Sequence, residues 1–233
     1  MLHAISQKKS QLHKRYLGHR EPGEGRVGEE DELTSLLIGP LAFLPAQAIA
    51  TFWERLLRHA QPSIDWPQGA VAHAQMRFWP RRLIAPKRFI EPDLLVEIQW
   101  PGAERRLLLV EFKWRAPLSG ERQLHDQWLK FLTPEERPHA LHLFIAPEAS
   151  PGLKALAHDD VWQGRLLLRT WLDVLTCLQR LPKPQHDTLG PWATQVANVL
   201  AMLNIHPFQG FTDLGAPPLR ELTRPIFWHY PQD

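Results

Sequence analysis

Two apolar runs flank the break Pro101-Gly102-Ala103-Glu104, and they constrain the fold more than any other feature of the chain. Residues 93–100 read Asp-Leu-Leu-Val-Glu-Ile-Gln-Trp, and residues 106–114 read Arg-Leu-Leu-Leu-Val-Glu-Phe-Lys-Trp. Apolar runs of this length bounded by turn formers predict two strands of a hairpin. Side chains alternate between the faces of a strand. Leu107, Leu109, Glu111 and Lys113 therefore share one face, and Leu108, Val110, Phe112 and Trp114 share the other. The second face is wholly apolar; the first becomes charged only at its far end. Asp93, Leu95, Glu97 and Gln99 share a face of the earlier strand, where Glu97, nearer the turn, reads as an outer contact or a solvated group.

Register sharpens the picture. With the turn centred near Gly102–Ala103, opposed residues have numbers summing to about 205. Asp93 then lies across from residues 111 to 113, so two carboxylates and an amine converge at one end of the hairpin. Charges interrupting a buried strand cost free energy unless they are paired or used. The ordinary alternatives are a turn-forming aspartate after proline and an edge ion pair of small energetic value. Oxygen ligands of this type suit Mg²⁺ or Mn²⁺, which keep several waters for substrate and nucleophile. Such an ion neutralises a phosphodiester and acidifies a water, and an adjacent lysine can stabilise developing charge or help to deprotonate that water.

The rest of the chain frames this hairpin. Leu33, Leu36 and Leu37 begin a helical pattern at Glu29, and a second helix is predicted over 46–59. A first strand is predicted over 72–79, a helix over 120–132 before Pro134, and a buried strand over 140–146. A short helix over 151–158, a strand over 165–170 and helices over 171–181 and 190–204 complete the order. A hairpin followed by a crossover helix predicts a mixed α/β sheet with helices on its faces. Residues 1–28 are polar and basic and read as a flexible arm; residues 29–182 read as the core domain. Residues 183–233 read as a C-terminal helix and a proline- and aromatic-rich tail packed on it.

Glu91-Pro92-Asp93, followed after the hairpin turn by Glu111-Phe112-Lys113, resembles the PD-(D/E)xK nuclease motif. The resemblance covers roughly residues 28 to 180. It implies a restriction-endonuclease-like fold with an αβββαβ core and C-terminal helical additions. It implies that Asp93 and Glu111 hold Mg²⁺ or Mn²⁺ with the carbonyl of Phe112, and that Lys113 acts on the water or the developing charge. Gly28-Glu29-Glu30-Asp31-Glu32-Leu33-Thr34-Ser35 resembles the acid-rich opening of the preceding helix in bacterial relatives, which points to Glu30. Acids in a first helical turn also serve the helix dipole. RecB-like members carry a glutamine on the helix after the lysine strand. Gln123 fills that place, with Gln127 one turn behind it; Trp128 follows where that branch has a tyrosine. The resemblance implies DNA hydrolysis, with anti-phage defence or mobile-element processing by analogy. A catalytically silent fold serving as a binding subunit, or an interaction protein using its tryptophans, are the competing readings.

Arg77, Arg81, Arg82, Lys87 and Arg88 form the clearest basic cluster, interleaved with Phe78 and Trp79. It suits phosphate contact and base stacking, or a solvated loop. Lys and Arg total 27 against 25 Asp and Glu, so any attraction to nucleic acid rests on this local patch rather than on net charge. One cysteine, Cys177, excludes an intrachain disulfide and fits a cytoplasmic setting. No apolar run is long enough for a membrane span, and no Walker loop or GxGxxG predicts a nucleotide cofactor. His139 and His142 read as structural, and His125 as outside the site. With no second recognition module in view, specificity is expected from a protein partner, a homodimer or the terminal arms.

Overall fold

A computed structural model describes residues 2–19, 28–181 and 188–207. Helices α1 (Leu2–Ser6), α2 (Leu12–Tyr16), α3 (Glu29–Leu37) and α4 (Ala46–Arg58) precede the sheet. Strands β1 (His73–Phe78), β2 (Arg82–Ala85), β3 (Arg88–Ile90), β4 (Leu94–Gln99) and β5 (Arg105–Phe112) follow. Then come α5 (Gln123–Asp126), a π-helical turn (Gln127–Phe131), β6 (Ala140–Ala146), α6 (Ser150–His158) and β7 (Leu166–Thr170). Helices α7 (Trp171–Gln179) and α8 (Gly190–Met202) end the described chain. The main sheet has five strands in the order β1-β4-β5-β6-β7. β1, β4 and β5 pair antiparallel, and β5, β6 and β7 pair parallel. The architecture is thus mixed α/β, with helices on both faces. Among the described residues no helix is long and apolar enough to cross a membrane.

The alternation read from β4 and β5 fixes the two cores. Leu94, Val96, Ile98, Leu108, Val110, Phe112 and Trp114 enter the larger core with α3, α4, α7 and α8. Leu95, Leu107 and Leu109 enter a smaller core with Leu124, Trp128 and Phe131, which follow β5 in sequence. The larger core is tied to α4 by Arg169 of β7, whose buried guanidinium donates to the Leu56 and Leu57 carbonyls near the end of that helix. Those carbonyls have few partners within the helix, so a cation there satisfies them and meets the negative end of the dipole. Cys177 of α7 lies buried, and burial pushes its thiol up to about 11.

The hairpin register differs by one from the expected centre. Leu94 pairs with Val110 and Leu95 with Leu109, a constant sum of 204. The reason is a three-residue loop, Pro101 to Ala103, closed by Trp100 N–H donating to the Glu104 carbonyl at 2.8 Å. Its centre is Gly102, where φ is +84°, a left-handed value that glycine adopts without a Cβ penalty. The register carries Asp93 directly opposite Glu111.

Several expectations are corrected. Within the segment read as a flexible arm, residues 2–19 instead form α1 and α2, and Leu2, Ile5 and Tyr16 are buried in the larger core, with α1 against α8. Its apolar residues are too sparse to show helical periodicity, so the packing is set by tertiary contact. The loop between the first two predicted strands is a small separate hairpin, β2–β3. The helix predicted over 120–132 is only one α-turn followed by the π-helical turn. Helix α8 packs on the larger core through Trp192, Val196, Val199 and Leu200. The proline- and aromatic-rich tail beyond 207 lies outside the described residues. Among the described residues the tryptophans are buried, except for half-buried Trp79.

Candidate active site

The site grows from the open end of the β4–β5 hairpin. Asp93 precedes β4, and its carbonyl accepts from Trp79 N–H at 2.9 Å, so its backbone faces β1. Asp93 and Glu111 therefore form a pair with no mutual backbone bonds, the kind in which opposed side chains stand closest. The Asp93 carboxylate reaches across instead, with Oδ2 accepting from the Phe112 N–H at 2.7 Å. In an extended strand the carbonyl of a residue lies on the same edge as its N–H. The Phe112 carbonyl thus shares the Asp93 edge.

Glu111 is 1% exposed. Its Oε1 accepts from Lys113 Nζ at 2.8 Å and from Gln123 Nε2 at 2.6 Å. Its Oε2 accepts from Gln127 Nε2 at 2.7 Å. Gln123 and Gln127, four residues apart, present their amides together, and both reach the same carboxylate. The Gln123 side-chain oxygen also accepts from Ser119 N–H at 2.7 Å, which anchors the amide from behind.

Lys113 is held on both sides of its backbone. Its N–H donates to the Ile145 carbonyl at 2.8 Å, and its carbonyl accepts from Trp171 Nε1 at 2.8 Å. Trp171 stacks on Phe112 with ring centroids 5.7 Å apart, so the apolar face positions the lysine from beneath. The ammonium meets Glu111 and, at 3.3 Å, Glu30 Oε2. Glu30 Oε1 accepts from Trp114 N–H at 2.6 Å and Ala116 N–H at 3.3 Å. Glu30 thus clamps the end of the lysine strand to the first turn of α3.

The electrostatics follow from this crowding. Burial pushes the Asp93 carboxyl up to about 8, and the charge of Glu111 adds to the rise against the Phe112 N–H and Lys113. Burial alone would lower Lys113; Glu111, Asp93 and Glu30 outweigh it and hold the ammonium above its ordinary value. Two carboxylates facing each other, one of them strained toward protonation, make a setting that a divalent cation would relieve. The donor set is small: among the described residues no group of three or more His, Cys, Asp or Glu is gathered for a metal. Asp93, Glu111 and the Phe112 carbonyl fit an ion that keeps most of its waters, as Mg²⁺ does.

The fold brings together Asp93, Glu111, Lys113, Glu30, Gln123 and Gln127, and it orders the basic cluster unevenly. Arg77 pairs opposite Leu95 and so shares the face of Asp93. Arg81 is ion-paired with Glu91, and Arg82 with Glu136 at 3.4 Å, its guanidinium over the Phe131 ring. Arg81 is engaged within its own hairpin segment, and Arg82 is engaged because the β2–β3 hairpin lies against the π-helical turn. Lys87 and Arg88 are exposed at the hairpin turn, beside exposed Leu83 and Phe89. Glu97 accepts from Gln99 at 2.8 Å and takes no part in the site. His125 is buried, bonded to the Asp159 carbonyl at 2.8 Å.

The residue that sequence reasoning missed is His142. It bonds Gln127 at 3.2 Å, one link from Glu111. The signal was present: a histidine inside the apolar run of β6, paired opposite Leu109 and hence on the Glu111 face. Comparison of the chain with protein-family models, with curated proteins and with solved structures found no match in any of the three.

Proposed function

We propose that the chain is a metal-dependent nuclease of the PD-(D/E)xK type on a restriction-endonuclease-like fold, hydrolysing DNA phosphodiester bonds. The observation that carries this reading is the opposition of Asp93 and Glu111, with Lys113 Nζ 2.8 Å from Glu111, at the end of an otherwise apolar hairpin. Asp93, Glu111 and the Phe112 carbonyl would hold Mg²⁺ or Mn²⁺. The ion, when bound, supplies Lewis-acid activation of a water and neutralises the scissile phosphate. Lys113, an ammonium fixed by two acids, would stabilise negative charge on the phosphoryl oxygens as the bond breaks. Glu30 keeps that ammonium in place; Gln123 and Gln127 keep Glu111 in place. Arg77, Lys87 and Arg88 would contact backbone phosphates, with Arg81 and Arg82 shaping the hairpin that presents them.

The test is cleavage of plasmid and linear DNA, with RNA alongside, in Mg²⁺ and in Mn²⁺. Wild type should cut DNA, and Asp93→Ala and Lys113→Ala should each cut about a hundred- to a thousandfold more slowly. A wild type that cuts no nucleic acid, or variants that cut as well as it does, would falsify the assignment. One observation favours a second reading, a catalytically silent fold that binds nucleic acid or protein: Glu111 already accepts three side-chain donors, and among the described residues no third acid is gathered with the pair to hold a metal. That reading predicts DNA or protein binding that is indifferent to divalent ions.

A further inference from the structure

Behind Glu111 runs a buried chain of polar side chains drawn from three elements. Trp162 Nε1 lies 3.0 Å from His142 Nδ1. His142 Nε2 lies 3.2 Å from Gln127 Oε1, and Gln127 Nε2 lies 2.7 Å from Glu111 Oε2. His142 is fully buried, Trp162 is 1% exposed and Gln127 is 2% exposed. The surroundings are apolar: Leu109, Phe144 and Leu166 belong to the same core, and the Trp128 ring stacks on His142. A packing role alone does not call for an imidazole and an amide here. A buried donor left without a partner is costly in so apolar a setting, so such a chain persists only when every link is made.

The direction of every link is forced from its two ends. An indole nitrogen only donates, so His142 Nδ1 accepts and the ring proton sits on Nε2. Nε2 then donates to the Gln127 oxygen, which leaves the Gln127 nitrogen to face Glu111. An ionised carboxylate only accepts, so the last link has the matching polarity. Were the proton on Nδ1, it would oppose the indole N–H. The Gln127 amide would then turn its oxygen toward Glu111, acceptor against acceptor. Burial also draws the imidazole down to about 3, so the ring stays neutral and keeps one tautomer across the physiological range.

We infer that Trp162 and His142 are positioning residues that, through Gln127, fix the orientation of the Glu111 carboxylate for its cation. This rests on the nuclease reading above, in which Glu111 is a ligand. Gln127 holds Oε2 while Gln123 and Lys113 hold Oε1, so both oxygens are set before any ion arrives. Gln127 bonds the ligand directly, and removing a group so placed commonly changes metal affinity by about ten- to a hundredfold; His142 and Trp162 act on the ligand through it.

Three variants separate this role from packing. Trp162→Phe removes only the indole N–H. His142→Leu removes both links at the ring. His142→Gln keeps an amide donor for Gln127 and serves as the conservative rescue. Circular dichroism establishes that each is folded. Two readouts are then taken on the whole chain: ¹⁵N NMR of the His142 ring and the Gln127 amide without metal, and Mn²⁺ affinity by electron paramagnetic resonance. The wild-type ring should be neutral with its proton on Nε2 from pH 5 to 8. Trp162→Phe should move the Gln127 amide signals and weaken Mn²⁺ binding about tenfold, and His142→Leu should weaken it up to about a hundredfold. His142→Gln should recover most of that loss. A wild-type ring protonated on Nδ1, or folded Trp162→Phe and His142→Leu proteins with wild-type Mn²⁺ affinity, overturns the inference. A wild type with no Mn²⁺ affinity contradicts the nuclease reading instead. The positioning chain is then judged on the metal-free signals: Gln127 resonances that shift in Trp162→Phe sustain it, and unmoved ones overturn it.

Discussion

On one face of β5, Leu108, Val110, Phe112 and Trp114 pack into an apolar core between the sheet and α3, α4, α7 and α8. On the other face Leu107 and Leu109 give way to Glu111 and Lys113, which are nearly as deeply buried but make their contacts through hydrogen bonds and charge. The same eight-residue strand, with its continuation through Lys113 and Trp114, therefore does two jobs. The apolar face holds its position by area removed from water. The polar face needs that position, because donors and acceptors tolerate errors of only a few tenths of an ångström. Trp171 links the two, stacking on Phe112 and donating to the Lys113 carbonyl.

Substitutions on the two faces should therefore fail differently. The largest effect is expected for Glu111→Gln, which should slow DNA cleavage about a hundred- to a thousandfold while the chain still folds. Steady-state cleavage together with a thermal melt checks both halves. Next comes Leu108→Ala on the opposite face. It should cost about 2–5 kcal/mol in denaturant unfolding, yet leave the cleavage rate per folded molecule close to wild type. Loss of activity in folded Leu108→Ala would erase the division between the faces.

The third expectation concerns pH in the metal-free protein. Asp93 is raised from its ordinary 3.8 to about 8, so the folded state holds a proton that the unfolded state releases between those values. By linkage, this group's contribution to stability is fully present below pH 3.8 and is lost as pH rises toward about 8, with no further change above. Asp93→Asn removes that slope, so the variant should gain in melting temperature relative to wild type as pH goes from 5 to 9. Equal slopes would mean that burial and the charge of Glu111 do not raise Asp93 in the folded chain. The smallest effects belong to the β2–β3 hairpin. Lys87→Ala and Arg88→Ala should each weaken DNA binding across sequences and lower the salt slope by about 1. Titration at several salt concentrations measures this, and Arg82→Ala should change the slope less, because Arg82 already pairs with Glu136.

What the sequence revealed and what it hid divide along the same line. Local pattern showed the hairpin, its faces and the convergence of Asp93 with Glu111, because alternation and a short turn act within twenty residues. The register came out one residue from the expected centre, since the loop is Pro101 to Ala103 rather than a two-residue turn. The partners of Glu30 lie more than eighty residues away, so only the family resemblance pointed to it. Nothing local linked His142 to Gln127 and Trp162, since β6, the π-helical turn and the loop after α6 meet only in the folded chain. Likewise α1 and α2 are too short to show a period; α1 is buried by contact with α8, and Tyr16 of α2 joins the same core, its carbonyl accepting from Trp114 Nε1.

In the nuclease reading proposed above, Asp93 and Glu111 form one cation site. Calorimetric titration of Mn²⁺ into the metal-free chain tests it most directly, with wild type, Asp93→Asn and Glu111→Gln side by side. One ion should bind per wild-type chain, with no measurable binding in either variant. A wild type that binds none, or binding that survives both substitutions, would contradict it.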